Sequence, residues 1–100
     1  MRIIFSKIAN NSYEAIIEFL SVVWTEREID IFIDDAQKIV SQLKDGKFKL
    51  HQSYSKDIRS ALIGKKHVRM FFKKENREEI RILLFFDMRQ NPDKINDLLK

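Results

Sequence analysis

Residues 80–86 read IRILLFF, a run interrupted only by Arg81 in a chain of 100 residues. A strand with one face in water alternates apolar and polar side chains. One that is apolar almost throughout must be covered on both faces. The rest of the chain therefore has to supply packing layers for this strand.

Two amphipathic helices are predicted upstream. Tyr13, Ile16, Ile17, Leu20, Val23 and Trp24 recur at helical spacing, and Asn11 with Glu14 three residues on suggests the N-terminal cap. A second capping box, TERE at 25–28, follows at once. It opens a stripe of Ile29, Phe32, Ile33, Ala36, Ile39, Val40 and Leu43, which Gly46 ends. Two helices so tightly joined should fold back as a hairpin and bury their stripes against a sheet. RIIFS (2–6) reads as an edge strand, 47–57 as a connecting loop without period, and IRSALI (58–63) and HVRMFF (67–72) as further strands. With KKENREE as a turn, the last three strands form an antiparallel meander. Asn91-Pro92 starts a closing helix. The expected fold is α+β, in the order β-α-α-β-β-β-α, with a helical hairpin on a small antiparallel-rich sheet.

Composition bounds the function. Two glycines and one proline leave little material for linkers, so residues 1–100 are expected to form one domain. No cysteine is present, which removes disulfides and thiolate metal or redox sites, and two histidines make a poor metal site. No signal peptide and no run near the roughly 18 apolar residues of a membrane span is visible, so a cytoplasmic protein without a membrane partner is expected. Residues 1–50 hold seven Lys/Arg and eight Asp/Glu, a balance of −1; residues 51–100 hold twelve and seven, a balance of +5. That asymmetry points to an anionic partner, nucleic acid or an acidic protein.

No phosphate-binding glycine loop, GxSxG elbow or HExxH motif occurs. Glu78 and Glu79 are adjacent on a strand and so point to opposite faces, which stops them working on one substrate. Alternation in 67–72 places Val68, Met70 and Phe72 on one face and His67, Arg69 and Phe71 on the other. Arg69, Arg59 on the strand before it and Arg89 at the exit of the last strand then suggest a phosphate-binding open sheet face, extended by Lys65 and Lys66. Pairing of Arg89 with Asp87 competes with that role. His67, amid lysines, is a weak candidate for acid–base work. Tyr54 is suited either to stacking a base or to pinning its loop to the helices.

The element order, the basic second half and VRMFF (68–72) together resemble the RelE/ParE superfamily of toxins, from type II toxin–antitoxin or plasmid stabilisation modules. EFLSVVWTEREIDIFIDD (18–35), IRSALIGKKH (58–67) and, most specifically, FFDMRQNPDKI (85–95) carry the resemblance over nearly the whole chain. It implies a toxin neutralised by a cognate antitoxin, with Arg59, Lys65, Lys66, His67, Arg69, Asp87, Arg89 and Gln90 as target-binding residues and neither cofactor nor metal. In the ribonuclease branch, which cleaves mRNA on the ribosome, Arg69 and Arg89 match two catalytic arginines, with His67 a further candidate. The lysine pair of that branch falls near Ser60 and Leu62, and its tyrosine near Ile95. Those replacements favour the ParE-like branch, whose members resemble poisons of DNA gyrase that act by contact. The alternatives are the mRNA endoribonuclease and a non-toxic nucleic-acid-binding module on the same scaffold.

Overall fold

The computed structural model describes residues 1–63 and 67–99. In chain order these form β1 (Arg2–Phe5), α1 (Lys7–Val23), α2 (Glu26–Lys44), a 3-10 turn (Phe48–Leu50), β2 (Gln52–Ser53), β3 (Ile58–Leu62), β4 (Val68–Asn76), β5 (Glu79–Asp87) and α3 (Asp93–Leu99). The fold is α+β. A five-stranded mixed sheet has the order β1-β5-β4-β3-β2, with β1 parallel to β5 and every other pair antiparallel. Among the described residues, no helix is long and apolar enough to cross a membrane.

The apolar run of residues 80–86 lies inside the sheet, between β1 and β4, and both its faces are covered. Toward the helical hairpin, Ile80, Ile82 and Phe85 join Met70 and Phe72 of β4 and Leu20, Phe32 and Leu43 of the helices. On the other face Leu84 and Phe86 join Phe71 of β4 and Ile95 of α3. Register makes both sides possible. Phe71 pairs with Leu84 but Phe72 with Ile82, so Leu83 is an extra residue and the alternation resets there.

Two helix ends are fixed by side-chain chemistry. Thr25 and Glu28 form the expected capping box, each side chain reaching the other's backbone N–H. At the C-terminus of α2, Gly46 takes φ +83°; Lys47 N–H bonds to Gln42 O and Gly46 N–H to Leu43 O, each at 3.0 Å, a Schellman end. The start of α1 differs from expectation. Ser6, not Asn11, is the cap: its Oγ accepts from Ala9 N at 3.0 Å and donates to Leu83 O at 3.2 Å. Its own N–H bonds to Ile82 O, so β1 passes into α1 without an intervening loop.

The stretch expected as a plain loop also holds structure, the 3-10 turn and the two-residue β2. The turn between β4 and β5 is shorter than KKENREE, because both strands extend to Asn76 and Glu79. The sheet face away from the hairpin is less open than the arginine pattern suggested. α3 covers its Phe71, Leu84 and Phe86 through Ile95, which takes their apolar area out of water.

Candidate functional site

The β3–β4 register decides how the basic residues are distributed. Directly paired residues share a face. Arg59 pairs with Phe72 and so stands on the hairpin side. Arg69 pairs with Leu62 and Phe86 and stands on the α3 side. Arg59 donates to His51 O at 2.8 Å, and its guanidinium lies 5.4 Å from the centre of the Phe48 ring. Arg59 and Arg69 therefore do not form one sheet-face cluster, contrary to the sequence reading.

Arg69 instead meets residues of the supposed loop. Its Nη2 donates to Gln52 Oε1 at 2.6 Å, and its Nη1 is buried without a hydrogen-bond partner. His51 packs edge-on to Phe72, with ring centres 5.4 Å apart, and its Nε2 is likewise buried and unpartnered. Both side chains line an open cavity of about 340 Å3 at the β3 edge, with Gln52, Ser60 and Leu62. Because β2 spans two residues and pairs only with Arg59 and Ser60, it leaves the end of β3 uncovered here. Desolvation, reinforced by the charge of Arg59, lowers the His51 pKa below its ordinary value. The shift favours the neutral imidazole, and the ring shares this cavity with a guanidinium whose Nη1 is unpartnered. An imidazole and a guanidinium on one cavity are the groups that proton transfer and oxyanion binding use, and here both unpartnered nitrogens are buried.

The Asp87 cluster is separate. Arg89 clasps Asp87 through two parallel bonds, Nε to Oδ1 at 3.0 Å and Nη2 to Oδ2 at 2.7 Å, and its backbone N–H adds a third. These bonds hold the Asp87 carboxyl below its ordinary pKa and raise that of Arg89. Asp87 pairs in register with Val68, so it faces the hairpin side and not the side of Arg69. Gln90 N–H bonds to Asp87 O, and Asn91 Oδ1 accepts from Asp93 N at 3.0 Å as α3 begins. Asp87, Gln90 and Lys94 border a groove between α1 and α3.

His67 is exposed at the start of β4, where its carbonyl accepts from Met88 N. Lys65 and Lys66 lie outside the described residues. Tyr54 pins its loop, donating to Asn96 Oδ1 at 3.1 Å and meeting Phe71 edge-on at 4.9 Å; the helix it reaches is α3. Glu79 is buried against Arg2 at 2.8 Å while Glu78 is exposed, so the two carboxylates are indeed apart. Glu75 holds both Arg81 and Lys73, neutralising part of the basic hairpin. Among the described residues no cluster of His, Cys, Asp or Glu fits a metal ion.

Sequence reasoning placed His51 and Gln52 in a loop and assigned them no role at a site. The signal was weak: β2 is two exposed polar residues, and its register appears only in the backbone pairing of Gln52 with Ser60 and Ser53 with Arg59. No protein-family model matches the chain, and no curated protein matches it either.

Proposed function

We propose that the protein is the toxin of a type II toxin–antitoxin module of the RelE/ParE kind. On this reading it acts in the cytoplasm and arrests growth by binding DNA gyrase, in the ParE-like manner, and a cognate antitoxin holds it inactive. The observation that carries the reading is an uncovered apolar strip on α1. Ile8, Ala15, Phe19 and Val22 follow at helical spacing, and Phe19 is 53% and Val22 84% exposed. The groove beside it is floored by Leu84 and Phe86 and flanked by Leu98 of α3. An amphipathic helix of a partner would cover strip and groove together, and acidic residues on that partner would meet the basic second half of the chain. The expected order of helices and strands, present in the fold, also supports the reading.

A second reading, mRNA endoribonuclease, is favoured by one specific observation. The neutral His51 imidazole and the unpartnered Arg69 Nη1 line a single cavity. They would supply a base for a 2′-hydroxyl and a donor for the phosphate it attacks.

Inducible expression in a bacterial host separates the readings. Growth arrest with induction of the DNA-damage response is expected, and Arg69→Ala with Arg89→Ala relieves it. Rapid translation shut-off relieved by His51→Ala selects the ribonuclease instead. A host indifferent to expression removes both.

A further inference from the structure

We propose that the cleft between α1 and α2 is a binding site for a small, flat aromatic carboxylate, independently of the toxin reading. The hairpin is closed at its junction, where the Trp24 ring meets Phe32 edge-on at 6.1 Å and Tyr13 approaches Phe32 at 6.2 Å. Farther along, α2 turns the small residues Ala36 and Ser41 toward the first turns of α1. A cleft of about 560 Å3 remains between the helices, within the range of small-molecule sites.

Its floor is aromatic. Phe5 and Phe85 lie with their ring planes 5° apart and centres 6.4 Å apart, and Tyr13 meets Phe85 edge-on at 5.0 Å. Phe5 pairs with Ile82 and so points under the hairpin, yet it is 39% exposed. Phe5 ends the edge strand of the sheet, and its ring lines the cleft. Burial raises the Tyr13 pKa, which is consistent with a wall of low polarity. Rings of this kind favour a flat aromatic ligand, which gains offset or edge-on contacts beyond simple area burial.

The polar rim selects the charge. Asn10 and Gln37 offer amides and Ser41 a hydroxyl, while Lys44 is the one charged side chain among the described lining residues. No described carboxylate is paired with its ammonium group. α1 presents its N-terminal turns to the cleft and α2 its C-terminal turns, so the two helix dipoles offset one another; Lys44 is then the charged side chain of the rim, with the Met1 ammonium donating to its carbonyl at 3.1 Å. A carboxylate on the edge of the ring system is the group that such a rim accepts.

The test is titration of the whole chain with 2-naphthoate, followed by two-dimensional amide NMR, with uncharged 2-naphthamide as comparator. Saturable one-to-one binding should shift the amides of Tyr13, Gln37 and Ser41. The amide ligand should bind about threefold more weakly, the size of an exposed ion pair. Lys44→Met should erase that preference, and Ser41→Leu, at the exposed mouth, should abolish binding of both ligands with the thermal midpoint unchanged. Should Ser41→Leu fail to fold, Lys44→Met still decides the matter. Absence of saturable binding, shifts centred on Arg69 or Arg89, equal affinity for the two ligands, or binding that survives Ser41→Leu would each overturn the assignment.

Discussion

His51 shows how much one residue's surroundings decide. Its ring rests on Phe72 and its Nε2 has no partner, so protonation would bury an unpaired charge beside Arg59. The folded pKa is therefore below the ordinary 6.5. The unfolded chain then binds the extra proton first, and stability falls as pH drops through the ordinary histidine range and levels off below the folded value. Titrating the imidazole Cε1 proton by NMR should give a midpoint below the ordinary value for His51, and Arg59→Met should move it upward. A midpoint at or above the ordinary value would contradict the burial of this ring. Arg89 is the opposite case, a cation already engaged. Its two bonds to Asp87 mean that any phosphate or carboxylate on a partner must compete with a bidentate pair. Arg69, with one free buried donor, has no such competitor at Nη1.

At the level of elements, the ends of helices were legible wherever two signals coincided. Thr25 and Glu28 stand between two apolar stripes, so the capping box fixed a boundary on both sides. Asn11 and Glu14 have the same spacing but sit inside α1, because the true cap is set by a tertiary contact. Ser6 serves Ala9 N and Leu83 O at once, and no local pattern announces the second bond. Ser6→Ala should destabilise the fold by about 1 kcal/mol, the usual worth of a cap. Asn11→Ala, on an exposed helical position, should be close to neutral. Urea unfolding of the two variants reads this directly, and the reverse order would refute the assignment of Ser6. The strands followed the same logic. The interior strand was legible from its apolarity, broken only at Arg81. Its near turn was placed but drawn too long, because that hairpin closes on Asn76, whose Oδ1 accepts from Glu78 N, without a glycine to mark its bounds. The arginine surface failed for a simpler reason. Period-two alternation gives the faces within a strand but not the register between strands, and register is what separates Arg59 from Arg69.

Across the whole molecule, the two apolar clusters share their strands. Phe71 and Phe72 are consecutive, yet Phe71 packs against α3 and Phe72 against the helical hairpin. Leu84 and Phe85 divide in the same way on β5. A loss on one side is therefore felt by strands that the other side needs. α3 is a seven-residue helix whose buried anchor is Ile95, 1% exposed, supported at its side by the Tyr54–Asn96 bond. Alone it could not hold its helical form, so its order derives from packing on the sheet. Ile95→Ala should cost about 2–4 kcal/mol through lost burial and the cavity left over Phe71. Because β4 and β5 belong to both clusters, the variant should still unfold in one cooperative step, its midpoint lowered with little change in denaturant slope. Circular dichroism and tyrosine fluorescence (Tyr54 on the α3 side, Tyr13 under the hairpin) should report the same transition. A separate early transition confined to α3 would mean that the outer cluster is an attachment, not part of one core.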